Sequence, residues 1–166
     1  GHGSSLVDSH LALPDISRSW SPVELTPFRT LIDRKLADMV MVGHLVLARS
    51  DLGTIGQVPA TLSSAIVTGL LRGRLGYDGV VVGDDLDMGA ISAHLDRVDA
   101  ALAMFRAGID VIIVSNLHSQ DPQVPEAIIA ATAEAAQGDE NLRAHIEAAY
   151  RRILALKKTR FGGAGR

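Results

Sequence analysis

The chain is predicted to be an α/β protein built on a parallel sheet, and more narrowly a part of a TIM-type (β/α)8 barrel. Three observations predict this. Short apolar runs of strand length alternate with longer stretches in which apolar residues recur every three or four positions, and strands separated by helices pair in parallel. The run Gly79-Val80-Val81-Val82 is apolar throughout and meets Asp84 and Asp85 at its carboxyl end. That is the pattern of a strand covered on both faces, with acidic groups where α/β barrels place their chemistry. Finally, the 166 residues hold only three such strands. A closed barrel needs eight, and three parallel strands leave two long edges open. Residues 1–166 are therefore expected to form a single partial barrel domain lacking its amino-terminal strands.

The elements follow in order. Gly1 to Ser5 is Gly/Ser-rich and without periodicity, hence a loop. Asp8 and His10 stand two apart, close enough for the carboxylate to orient the imidazole and raise its basicity, although such spacing is also ordinary in a polar surface loop. Leu11 to Trp20 continues as loop around Pro14. Ser21-Pro22-Val23-Glu24 is a helix start, with Ser21 as N-cap, Pro22 in the first helical position, and Leu25, Phe28, Leu31, Ile32 and Leu36 on one face. Met39 to Leu47 reads as a buried strand ending near His44, which is either a satisfied core histidine or a pocket group.

Arg49 to Pro59 is a loop rich in glycine and proline. A helix then begins at Thr61, buries Ile66, Leu70, Leu71 and Leu75, and stops at Gly76. The central strand follows. Asp84, Asp85 or Asp87 at its end can serve as a helix cap as readily as a catalytic group. Gly89 to Arg97 is a connection with room for a helical turn, Val98 to Ala107 a helix closed by Gly108, and Asp110 to Asn116 the third strand. Pro125 to Gln137 and Asn141 to Lys158 are the last helices, and 159–166 is expected to fray.

Composition narrows the function classes. A net charge of -3, with sixteen Lys and Arg scattered among nineteen Asp and Glu, gives no basic face for nucleic acid. With no cysteine there is neither a disulfide framework nor a thiolate metal site. No apolar run approaches the length of a membrane span, and the first residues lack the charged and apolar regions of a signal peptide; this leaves the location unread, with a cytoplasmic one the expectation and an extracytoplasmic one open. A doubly wound nucleotide binder would show a Gly-rich turn after its first strand, and none is present.

Tyr77-Asp78-Gly79-Val80-Val81-Val82-Gly83-Asp84-Asp85-Leu86-Asp87-Met88 resembles the signature (F/Y)-x-G-(V/I)-(V/I)-x-S-D-D-L-x-M of glycoside hydrolase family 3, in its bacterial β-N-acetylhexosaminidase branch. Gly1-His2-Gly3 with Asp8-Ser9-His10 is similar to the end of that branch's K-H-F-P-G-H-G-(x)4-D-S-H, at the same spacing. Val40 to His44, Pro59 to Ser63, Leu71 to Tyr77, Ala107 to Asp110 and Arg152 to Lys157 match in the same collinear order.

The resemblance implies the carboxyl-terminal half of the catalytic barrel, strands six to eight, and a retaining removal of terminal N-acetyl-β-glucosamine, as in peptidoglycan recycling. It implies Asp84 as nucleophile, His10 as general acid/base and Asp8 as the group that orients His10. His44 and Met88 are further candidates for substrate contact. No cofactor or metal is called for. The expected partners are an N-acetylglucosamine-containing saccharide or muropeptide and, for stability, the amino-terminal half or a second copy.

Two departures carry expectations of their own. Gly83 replaces the family's Ser, a change expected to loosen the turn beside the nucleophile. The family's Lys-His-Phe-Pro and the sugar-gripping residues of earlier strands lie outside these residues, so residues 1–166 alone are expected to be inactive. A phosphorylase using the same residues, and a non-catalytic sugar-binding remnant, remain open alternatives.

Overall fold

Three parallel strands, β1 (Met39–Val42), β2 (Val80–Asp85) and β3 (Val111–Ile113), lie side by side in chain order in a computed structural model that describes residues 2–116 and 120–162. A helical segment follows each strand before the next begins, which is the repeat of a β/α barrel. The register pairs Val40 with Val81 and Val42 with Gly83 on one face, and Met39 with Val80 and Met41 with Val82 on the other. Because side chains alternate along a strand, these faces have different surroundings. Val42 and Val81 join the main core with Leu70, Leu71, Met104 and Ile109 from the helix layer. Met39 and Met41, on the opposite face, are 46% and 54% exposed.

Helix α1 (Thr26–Asp33) is entered through a 3-10 turn at Pro22–Leu25. It ends earlier than its apolar periodicity predicts, because Lys35 turns into the left-handed region, which leaves Leu36 in the following turn. The predicted strand through Leu47 is likewise shorter. β1 stops at Val42, and the apolar residues beyond it are buried by loop pairing, Val46 bridging Asp15 on one side and Pro59 on the other. The helix expected from Thr61 is a 3-10 turn at Ala60–Leu62 followed by a π-helix, Ala65–Arg74, which buries Val67, Leu70 and Leu71. Gly69 and Gly73 fall inside this wider coil, where they weaken the ordinary helical alternative.

The later helices keep close to expectation because their ends carry local signals. Asp96 caps α3 (Arg97–Ala107), accepting from the Val98 and Asp99 N–H groups, and Gly108 ends it at a φ of 114°. Asp139 caps α5 (Glu140–Phe161) in the same way, after α4 (Val124–Gly138). α5 continues through residues 159–161, which were expected to fray, and Arg160 pairs with Asp38; residues 163–166 of that tail lie outside the described residues.

At the amino-terminal edge of the sheet Asp110 has a fully buried side chain that accepts from Arg72 at 2.7 Å, from Arg152 at 2.7 and 3.1 Å, and from the Val81 N–H at 2.9 Å. Burial pushes its carboxyl up, but these bonds and cations outweigh it and hold the group below the usual carboxylate range. The network ties β2, the π-helix and α5 together, and removing one member of such a buried set costs about 3–5 kcal/mol. Nearby, burial pushes the Tyr77 hydroxyl up to about 12 as it bridges the Asp38 and Val80 carbonyls at 3.1 Å each.

Candidate active site

The carboxyl end of β2 carries three aspartates with different surroundings. Asp87 is spent on structure: its Oδ1 accepts from Arg97 at 2.7 Å, and its Oδ2 from the Asn116 N–H at 2.7 Å and the Ser115 hydroxyl at 3.2 Å. Asp85 Oδ1 takes the Ser115 N–H at 3.0 Å and the Asp87 N–H at 3.1 Å. Burial raises the Asp85 carboxyl, and the hydrogen bonds from Ser115 and Asp87 bring it below its ordinary value. These two residues splice the ends of β2 and β3 together. None of the three caps α2 (Gly89–Ser92), whose N-cap is Met88 without a side-chain bond.

Asp84 differs from both. It alternates onto the face of Met39 and Met41, its Oδ1 accepts from the Asp85 N–H at 3.0 Å, and its Oδ2 accepts no hydrogen bond among the described residues. Gly83, beside it, is packed against the helix layer. A Cβ there would run into Met104 of α3 and stand 3.2 Å from Ile109, so the glycine lets the helix layer close against β2.

The loop of Asp8 and His10 is held to the same place. Asp8 Oδ1 accepts the His10 backbone N–H at 2.9 Å and lies 2.8 Å from His10 Nδ1. The His10 N–H first, and then its imidazole, hold the Asp8 carboxyl below the usual carboxylate range. An ionised carboxylate only accepts, so Nδ1 carries a hydrogen and Nε2 is the nitrogen left to exchange protons. The loop docks on the start of α2, where the Gly89 N–H donates to the His10 carbonyl at 3.1 Å and the Ala90 N–H to that of Ser9 at 3.3 Å. A Cβ at Gly89 would stand 2.8 Å from the His10 carbonyl oxygen, so this approach requires glycine. On the other side Glu24 straps the loop to the helix start, accepting from the Ser4 and Ser21 N–H groups at 3.0 and 2.9 Å.

His10, Asp84 and Met88 line one cavity of about 830 Å³, together with Met39, Met41 and Gly43. His44 lies behind this wall rather than on it. It is fully buried, with Nδ1 2.8 Å from the Thr61 hydroxyl and Nε2 3.0 Å from the Asp85 carbonyl. Burial lowers its pKa, against the opposing pull of the Asp85 carbonyl and the Asp84 and Asp85 charges. The structure thus brings Asp84, His10, Asp8 and Met88 together and sets His44 one layer back. Gly89, Glu24 and Thr61 were named from the sequence only as parts of elements, because their contacts with His10, Ser4 and His44 join residues distant along the chain.

A polar site at the carboxyl ends of parallel strands, with a carboxylate and an imidazole–carboxylate pair on one cavity, defines the class as β/α-barrel proteins that work from that face. Comparison with known proteins makes this specific. The sequence profile described as the glycosyl hydrolase family 3 N-terminal domain matches residues 1–156. The chain belongs to glycosyl hydrolase family 3. It is 32% identical over 169 residues to the beta-hexosaminidase A of Pseudoalteromonas piscicida, covering 95% of this chain and 28% of that protein. It is 42% identical over 125 residues to the beta-hexosaminidase of Psychromonas ingrahamii, covering 72% and 35%. Among solved structures, the family 3 beta-N-acetylglucosaminidase of a Paenibacillus species superposes with a TM-score of 0.79 at 38% identity, covering 100% of this chain and 31% of that one. The chain spans about a third of the length of the curated relatives it matches. Its β/α units are the carboxyl-terminal part of a (β/α)8 barrel.

Proposed function

We propose that the complete protein is a retaining β-N-acetylhexosaminidase, with Asp84 as nucleophile and His10, oriented by Asp8, as general acid/base. The observation that carries this reading is the shared cavity: one carboxylate with an unengaged oxygen, and one imidazole whose second nitrogen is tied to a carboxylate. The names of the relatives support the substrate class, a terminal N-acetyl-β-D-glucosamine. Peptidoglycan fragments are the expected source of that sugar.

Asp84 attacks the anomeric carbon as the glycosidic C–O bond breaks, while the imidazolium form of His10 delivers its Nε2 proton to the departing oxygen. In the second step the neutral imidazole takes a proton from water, which displaces Asp84 and restores the carboxylate. Asp8 stabilises the imidazolium and fixes the ring. Met88 forms part of the wall the sugar meets. Residues elsewhere in the longer protein are expected to grip the sugar, so residues 1–166 alone are expected to be inactive.

The test is Asp84→Ala in the complete protein, assayed on an N-acetyl-β-glucosaminide with and without phosphate. Activity should fall by at least about a thousandfold, the scale on which loss of a nucleophile acts. The wild-type product should be free sugar in both buffers. Retention of more than about a tenth of the rate rejects Asp84 as the attacking group, and a sugar phosphate product reassigns the reaction to phosphorolysis.

A further inference from the structure

We infer that His44 is a positioning residue for the Asp84 carboxylate, acting through the Asp85 backbone rather than by contact with the sugar. The inference rests on Asp84 being the nucleophile. A carbonyl oxygen only accepts, so the 3.0 Å contact between His44 Nε2 and the Asp85 carbonyl requires a hydrogen on Nε2. A neutral imidazole then has a bare Nδ1, and the Thr61 hydroxyl at 2.8 Å is the donor that fits it. The Asp85 N–H in turn donates to Asp84 Oδ1 at 3.0 Å.

A continuous relay therefore runs from Thr61, at the turn before the π-helix, through the His44 ring, across the Asp85 peptide units, to one oxygen of the attacking carboxylate. The His44 ring is closed off at every polar atom: it is 0% exposed, and both nitrogens are engaged inside the protein. It has no polar atom to offer a ligand, yet it grips the residue next to Asp84 from outside β2. On the other side Leu86 N–H donates to the Ile113 carbonyl at 3.1 Å, so Asp85 is clamped between β3 and His44. Where the clamp matters is the carboxyl end of β2. The ladder to β3 shifts register between Val82 and Asp85, so ordinary sheet pairing does not hold Asp84 on that side. The π-helix and its leading 3-10 turn set Thr61 at the right height to complete the relay.

The geometry distinguishes two substitutions of similar polarity. In His44→Gln the amide nitrogen falls near the place of Nε2 and keeps the bond to the Asp85 carbonyl. In His44→Asn the amide reaches only the place of Nδ1, so Thr61 keeps a partner and Asp85 loses one. In the complete protein, kcat/KM of His44→Asn should fall about 10- to 100-fold, the effect of sub-ångström to ångström misplacement of a reacting group. His44→Gln, which keeps the Asp85 bond and loses only the Thr61 one, should fall about three- to fivefold on the same grounds. The inhibition constant of N-acetylglucosamine should change by less than about twofold in both, since no sugar contact is lost.

Equal kcat/KM for the two variants, at any level, overturns the assignment, as does an inhibition constant that rises in step with the loss of activity. If neither variant folds, Thr61→Val decides from the far end of the relay. A loss of about threefold or more with an unchanged inhibition constant supports the role, and an unchanged kcat/KM overturns it. Asp84→Ala, run alongside, separates the two levels. An active Asp84→Ala variant fails the nucleophile reading itself, whereas an inactive one with equal Asn and Gln variants fails only His44.

Discussion

Gly89→Ala disturbs the link between the two halves of the site without altering a residue in either. The Gly89 N–H donates to the His10 carbonyl at 3.1 Å, and a Cβ would stand 2.8 Å from that oxygen and 3.0 Å from the Leu11 carbonyl oxygen, where ordinary contact begins at 3.4 Å. Relief therefore needs a shift of 3.4 − 2.8, or 0.6 Å. Both opponents are backbone atoms, so the loop must move as a body and take the His10 imidazole with it. A misplacement of about 1 Å costs about 100-fold, and 0.6 Å scaled in proportion costs roughly tenfold. Overpacking adds about 1–3 kcal/mol of lost stability.

The assay is kcat/KM of the complete protein on a disaccharide and on an aryl glycoside with an activated leaving group. Because His10 moves and Asp84 does not, the tenfold loss should fall on the disaccharide, which needs the proton, with the aryl substrate within about threefold of wild type. His10→Ala should show the same preference more strongly. Equal losses on both substrates, or wild-type rates on both in a folded Gly89→Ala protein, would refute the reasoning.

Two further outcomes follow from burial. His44 is held neutral, its pKa below the ordinary 6.5, so as pH falls through that value the unfolded chain takes up a proton that the folded one refuses. Stability from this group is complete above about pH 6.5 and is lost as pH falls below it, by at most about 1.4 kcal/mol per unit. Denaturant unfolding of the complete protein between about pH 7 and pH 5 should show a shallower decline for His44→Gln, and identical slopes would count against a buried neutral imidazole. Separately, Met39, Met41, Phe28, Leu31 and Leu36 stand exposed along the open side of β1. Each such side chain gains about 1.5–3 kcal/mol when covered, against a typical total stability of about 5–15 kcal/mol. Residues 1–166 prepared alone should therefore associate or lack a cooperative transition, as read by light scattering and thermal unfolding; a cooperatively unfolding monomer would contradict this.

Where structure is set by neighbours along the chain, the sequence was readable. The helix ends read at Ala107 and Gln137 fall within a residue of those observed because the glycines that follow act locally, whereas the Asp96 and Asp139 caps at the helix starts were not read from the sequence. β1 was overextended because an apolar run carries no mark of where pairing stops: Val46 and Leu47 are as buried as a strand residue, but by loops. The π-helix was invisible, since nothing in a local pattern distinguishes it from an α-helix that holds two glycines. At the site, the spacing of Asp8 and His10 left an ordinary surface loop open, and their role, like the choice of Asp84 among three aspartates, came from family likeness. The structure supplies a physical counterpart, because Asp85 and Asp87 are consumed by Ser115, Asn116 and Arg97. Which alternating set of β1 and β2 side chains faces the barrel interior could not be read from the apolar runs, and the register of Val40, Val42 and Val81 decides it. These residues face the helices, and their alternating neighbours Met39 and Met41 face the open side.

The attack by Asp84 is tested most directly by trapping the covalent intermediate. The complete protein would be treated with a fluorinated N-acetylglucosaminyl fluoride, which forms the glycosyl-enzyme and hydrolyses slowly, then digested and mapped by mass spectrometry. The prediction is a single added sugar on the peptide containing Tyr77 to Met88, localised to Asp84 and absent from the Asp84→Ala protein. An adduct on Asp85, Asp87 or any other residue, or turnover of the natural substrate with inverted anomeric configuration, would contradict it.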